Sequence, residues 1–268
     1  MKRWLATILV FAVCSAVVRA DVTIVQTTTM EGGMAAMGGA NMSPKMTNRI
    51  KGMKSRSDVD LPNVNASTII DLVTKQVVVL RHDQKTAQIL GAAAPVAPAT
   101  TTVTVDASVT PTGKSQVIDG IKCDEYTFAT TMSMAEMSGP QMPPGAAEML
   151  KDLSIVMKGS MWVAKDLPGA AEYIAFQKAL AKSELPSAAG RMSGVSVPGM
   201  EKMMRAMSNV DGVGYMTVMD LTMVGGTGQI ADVMRQMGAM RITTKVTSMS
   251  ADPLSDDLFK VPEGYTIR

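Results

Sequence analysis

KGSMWVAKDLPGAAEYIAFQKALAK, residues Lys158 to Lys182, decides how the chain folds. Leu153, Ile155, Met157, Met161 and Val163 alternate with Ser154, Lys158, Ser160 and Ala164, the period of a strand with one buried face. Pro168 and Gly169 break that run, after which Tyr173, Phe176 and Leu180 recur on one side of a helix while Glu172, Lys178 and Lys182 stay polar. The stretch therefore reads as a strand, a sharp corner and a helix. Such a helix cannot bury its stripe alone and must lie on a sheet made by the rest of the chain. Ile155, Met157, Met161 and Val163 are expected to face Tyr173, Phe176 and Leu180 across a dry apolar space. These seven residues form the candidate ligand-binding site.

Working outward, the flanking sequence supplies the sheet. Asp21 to Met30 alternates Val22, Ile24 and Met30 with threonines, and Met46 to Asp58 has strand character with alternating charge. Ser67 to Val73, Gln76 to His82 and Lys85 to Leu90 are short strands joined by tight turns, the pattern of an antiparallel meander. Thr100 to Thr110 is β-rich, and QVIDGIKCDEYTFAT reads as two strands hinged at Gly120. Two long strands, Val213 to Val224 and Met240 to Ser250, follow the central unit. Met200, Met203, Met204 and Met207 fall at helical spacing after Pro198. Glu31 to Pro44, the Ala/Pro spacer Gly91 to Ala99 and Met132 to Pro144 read as loops. The count is roughly ten strands and three helices, and the alternation argues against a parallel sheet buried on both faces.

Residues 1–20 have the form of a signal peptide: Lys2 and Arg3, an apolar core from Leu5 to Val18, and a small-residue cleavage site at Val18-Arg19-Ala20. The apolar run is short for a membrane helix, so a mature chain from Asp21, periplasmic or secreted and without a stable membrane span, is expected. Val13 precedes Cys14 where a lipoprotein signal needs a small residue, which argues against lipidation. Cleavage removes Lys2, Arg3 and Arg19, leaving 23 basic residues against 24 acidic ones. Near-neutral charge and scarce aromatics give no footprint for nucleic acid. Cys123 is then the sole cysteine, so no internal disulfide can form and stability must come from burial. Residues 21–268 suffice for one domain.

Catalytic signatures are absent: there is no HExxH and no GxSxG, and neither Cys123 nor His82 sits in a local motif. His82 beside a turn, and the acidic pairs Asp58/Asp60 and Asp256/Asp257, read as solvated. Gly226 to Ala231, GTGQIA, has the outline of a dinucleotide fingerprint with Asp252 downstream. Only sixteen residues follow Asp252, too few for the parallel strands that such a fold needs. A non-enzymatic protein without cofactor is expected. Methionine is the compositional oddity, 26 residues against four Phe and two Trp. The pairs Met34/Met37 and Met134/Met137 and the run Met234/Met237/Met240 permit soft-metal binding, so a periplasmic Cu(I)-binding protein is the alternative reading. Met also makes adaptable apolar surfaces.

Three pieces carry a family resemblance: GKSQVIDGIKCDEYTF (113–128), GSMWVAKDLPGAAEYIAF (159–176) and DDLFKVPEGYTI (256–267). They look like a secreted bacterial family of unknown function that itself resembles the LolA/LolB lipoprotein carriers. The resemblance implies an α+β fold, an antiparallel half-barrel of about ten strands wrapped around a few helices with an apolar cavity between. It further implies that the chain binds an apolar or lipidic ligand, an acyl chain or a lipoprotein.

Overall fold

The computed structural model describes residues 21–32, 43–61, 64–91, 108–134, 152–183, 185, 205–226, 232 and 238–268. Its strands are β1 (Val22–Gly32), β2 (Lys45–Lys51), β3 (Lys54–Leu61), β4 (Val64–Asp71), β5 (Gln76–Arg81), β6 (Thr86–Gly91), β7 (Ser108–Ile118), β8 (Ile121–Ser133), β9 (Leu153–Ala164), β10 (Val213–Gly225), β11 (Met240–Ser250) and β12 (Thr266–Ile267). All twelve join one sheet in the order β12-β6-β5-β4-β3-β2-β1-β11-β10-β9-β8-β7. Every pairing is antiparallel except β12 with β6.

This corrects the expected fold class. The chain is a sheet-dominated protein with an open, mixed, twelve-stranded sheet, not an α+β half-barrel of ten strands wrapped around helices. Two strands escaped the sequence for local reasons. Met46 to Asp58 spans a two-residue turn at Gly52-Met53, where Gly52 takes a φ of 58°, and so is a hairpin rather than one strand. β12 is only two residues long and has no period to detect. The first part of the Thr100–Thr110 strand, most of the loops and the first three residues of the Met200–Met207 stripe lie outside the described residues.

Other elements form where expected. Asp119 and Gly120 both have positive φ, 50° and 82°, the geometry of a two-residue hairpin between β7 and β8. Between β4 and β5 the Asp71 carboxylate accepts from the backbone N–H of Val73 at 2.9 Å and of Thr74 at 3.1 Å. Helix α1 (Ala170–Lys182) follows β9 and buries Ala170, Phe176, Leu180 and Ala181. Glu172 in its first turn and Lys182 in its last complement the helix dipole. Gly169 makes the corner: it has left-handed φ and ψ of 74° and 12°, and a Cβ there would stand 2.6 Å from Val22 Cγ2.

Residues paired across strands point to the same side, so the register assigns the two faces. The row Val22, Ile50, Ser55, Ile70, Val77 lies on the helix side, and Val22, Ile24, Ile50, Val77 and Val246 pack in one core with Phe176 and Leu180. The rows Ile24, Asn48, Ser57, Thr68, Val79, Gln88 and Gln26, Met46, Val59, Ala66, Arg81, Thr86 share that side. Asp58, Ser67, Leu80 and Ala87 point the other way. There Ile69, Leu80 and Ala87 are covered by Leu254, Leu258, Phe259, Val261 and Tyr265 of the C-terminal segment.

Candidate functional site

A cavity of about 230 Å³ lies between α1 and the sheet. Gln26 of β1, Met161 of β9 and Gly214 and Thr217 of β10 line it from the sheet, and Tyr173, Ile174, Gln177 and Ala181 line it from α1. Met207, Ser208, Val210 and Gly212 complete the lining. The alternation of β9 and the register Met161 to Thr217 place these strand residues. Room is kept by Gly214, where a Cβ would come 3.1 Å from Met161 Sδ. Burial pushes the Tyr173 phenol above its usual range against the opposing effect of a hydrogen bond with Gln177, so the ring presents a neutral hydroxyl. Asn48 Nδ2 donates to Gln26 Oε1 at 3.3 Å. The cavity thus joins a thioether and aliphatic wall to a few amide and hydroxyl groups, a lining suited to an amphiphile.

Of the seven candidate residues, the structure brings Met161 and Tyr173 together at this cavity. Val163 is fully buried beside it, in a cluster with Met161, Phe128 and Val210. Phe176 and Leu180 point into the main core. Ile155 and Met157 lie farther along β9, paired with Met132 and Thr130 on one side and Met223 and Leu221 on the other; neither lines the cavity. Sequence reasoning missed Gln26, Ile174, Gln177, Gly214 and Thr217. Gln26 could have been found by extending the alternation from Val22 and Ile24. Gly214 and Thr217 could not, because a bulge between Gly214 and Met216 shifts the phase of β10. Ala164 is fully buried between Cys123 and Val213, so β9 is covered on both sides at its end.

On the opposite face Asp58 and His82, expected to be solvated, join a polar chain, while Asp60, Asp256 and Asp257 are exposed as expected. The Asp58 carboxylate accepts from Arg49, from Ser67 Oγ and, at 2.7 Å, from Arg56 Nε. Ser67 Oγ also contacts Arg56 at 3.1 Å and His82 Nε2 at 2.6 Å, and His82 Nδ1 meets the Tyr265 hydroxyl at 2.6 Å. Ionised Asp58 can only accept, so Ser67 gives its one proton to Asp58 and accepts from Arg56 and from His82 Nε2–H. His82 Nδ1 shares its hydrogen bond with the Tyr265 hydroxyl. Ser67 and His82 have nucleophile and base spacing, but the proton runs to Asp58 and Ser67 is 1% exposed, so the chain ties the tail to the sheet. Cys123 is buried and donates to the Ile121 carbonyl; burial, then Asp124 and Asp119, pushes its thiol up, away from the reactive thiolate.

Among the described residues no group of three or more His, Cys, Asp or Glu is placed to hold a metal. Met34, Met37, Met137, Met234 and Met237 lie outside them, as does most of GTGQIA. The strands flanking that motif, β10 and β11, are antiparallel neighbours, which is not the parallel arrangement of a dinucleotide site. No described helix is long and apolar enough to cross a membrane.

No family model matches this chain, and no curated protein does. Among solved structures it is similar to an uncharacterized conserved protein from Thermus thermophilus, with 7% identity, a TM-score of 0.37, and coverage of 94% of this chain and 91% of that one.

Proposed function

We propose that the chain is an exported, non-enzymatic protein that binds an apolar or lipidic ligand, such as the acyl chain of a lipid or lipoprotein, in the cavity under α1. The observation that carries this reading is the convergence of Met161, Tyr173, Ile174 and Met207 on one space between helix and sheet. At about 230 Å³ the space falls below the roughly 300–1,000 Å³ of drug-sized sites, which suits a single alkyl chain. Gln26, Gln177 and the Tyr173 hydroxyl would meet its polar end. The three pieces that resemble the carrier-like family support the reading; they fall on the β7–β8 hairpin, on β9 with the corner and α1, and on the C-terminal segment.

The test is native mass spectrometry of protein purified from its own host, followed by displacement of a lipophilic dye with dodecanoic acid. Gly214→Leu, which fills the space beside Met161 without a left-handed φ to strain, should weaken dye binding about tenfold or more with folding intact. Absence of bound lipophile, together with equal dye binding by the wild type and Gly214→Leu, would refute the proposal.

A further inference from the structure

A second and larger cavity, about 320 Å³, opens on the helix-side face at the other end of the sheet. Val79 and Arg81 of β5, Gln84 of the following turn, Thr86 and Gln88 of β6, and Arg268 line it. The register explains the convergence: Arg81 pairs with Thr86 and Val79 with Gln88. β12 runs parallel to β6 with Thr266 beside Thr86, so Arg268, two residues on, points to the same side. The Arg268 N–H donates to the Ala87 carbonyl at 2.9 Å and the Thr266 N–H to the Lys85 carbonyl at 2.9 Å, which fixes the segment.

Two guanidinium groups, two amides and a hydroxyl therefore surround a floor made by Val79 and Ala87, and among the described residues no acidic side chain lines the space. Elsewhere the described arginines are engaged: Arg49 and Arg56 with Asp58, Arg241 with Asp220, and Arg205 with a partner of its own. Arg81 and Arg268 have no ion-pair partner among the described residues. A guanidinium is a planar fork that binds two oxygens at once, and a pair of them matches the charge and the oxygen count of a phosphoryl dianion.

We propose that this cavity binds a phosphoryl group, with Arg81 and Arg268 clamping its oxygens and Gln84, Thr86 and Gln88 donating to those that remain. The group comes either from a free phosphate ester or from a lipid headgroup. Isothermal titration with inorganic phosphate at low ionic strength should show one saturable site. Arg81→Gln and Arg268→Gln should each weaken it about tenfold or more, the loss expected for one charge-assisted contact. Gln88→Glu, which places a negative charge in the lining, should abolish it, and far-ultraviolet circular dichroism would verify that each variant is folded. Sedimentation with phosphatidylcholine vesicles, with and without phosphatidylglycerol, separates the sources. Capture by the anionic vesicles that is lost in the arginine variants assigns a headgroup, and phosphate binding without capture assigns a free ester. No saturable phosphate binding, binding unchanged in the arginine variants, or acetate binding as tightly as phosphate would overturn the proposal.

Discussion

Replacing Asp58 by Asn removes one charge while keeping the side chain's shape, and the network predicts a large penalty. Asp58 accepts from two guanidinium groups and a hydroxyl. In the variant an amide N–H must face a guanidinium N–H, and Ser67 loses its ionic acceptor. Charge-assisted hydrogen bonds contribute roughly 1.5–3 kcal/mol each. Asp58 and Arg49 are each 27% exposed, so water takes up part of the loss, and the expected cost is about 2–3 kcal/mol. For a domain of this length that lowers Tm by roughly 5–10 °C. Trp162 is the only tryptophan beyond residue 20, so urea unfolding followed by its fluorescence gives the free energy directly. The pH dependence supplies a second readout. Burial opposes ionisation of Asp58, but the hydrogen bonds from Ser67 and Arg56 and the charges of Arg56 and Arg49 outweigh it, holding the carboxyl below its ordinary 3.8. A depressed folded-state pKa contributes stability that is present above about pH 4 and is lost as the pH falls through the folded value. The gap between wild type and Asp58→Asn should therefore be full at pH 7 and narrow below pH 4. A variant within about 0.5 kcal/mol of wild type at pH 7, or a gap that acid leaves unchanged, would refute the reasoning.

Thr130 Oγ1 is buried without a hydrogen-bond partner among the described residues, so the isosteric Thr130→Val should raise stability by about 1 kcal/mol in urea unfolding; a loss of that size would show that the hydroxyl is satisfied. Burial, with the hydrogen bond that Tyr215 donates to Asp119 at 2.9 Å, pushes the Tyr215 phenol up to about 12 from its ordinary 10. A raised phenol pKa contributes stability present below pH 10 and lost toward pH 12, so the wild type should weaken over that window and Tyr215→Phe, about 1 kcal/mol less stable at pH 8, should not. Gly169→Ala should cost about 2 kcal/mol, from a left-handed φ of 74° and from contact with Val22 Cγ2; a melting temperature equal to wild type would show that the corner relaxes freely.

Where the sequence carried a strong local period, the fold was legible. β9, the corner and α1 stand close to where the alternation, Pro168-Gly169 and the helical stripe put them, and the Asp-Gly hairpin at 119–120 needed only its turn chemistry. What failed was anything set by long-range pairing. Sheet order, the pairing of β12 with β6 and the tail's cover over Leu80 join segments distant in the chain, and no period records them. The polar chain through Asp58, Ser67, His82 and Tyr265 was hidden for the same reason: its members span positions 58 to 265 and each looks solvated in its own context. The site was half legible. A period of two places Met161, but it does not say that Ile155 and Met157 fall outside the cavity's lining, and the β10 bulge erases the phase that would have revealed Thr217.

α1 and the C-terminal segment bury opposite faces of the sheet, and this bears on how the proposed sites relate. α1 covers the helix-side face around β1, β9, β10 and β11, whereas the C-terminal segment covers the reverse face around β4, β5 and β6. Beyond Ile70 and Val77, which pack in the α1 core, the helix-side face of β4 to β6 carries Thr68, Arg81, Thr86 and Gln88, where the larger cavity opens. That cavity depends on the tail because Arg268 belongs to it, and the tail is held through Tyr265, His82 and Asp58. The alkyl cavity depends on α1 and on the register of β9 with β10, and it shares no lining residue with the other. Loosening the tail should therefore weaken phosphate binding while sparing dye binding, and Gly214→Leu should do the reverse. Sites without common contacts behave additively, so the energetics of the two can be measured separately in one chain.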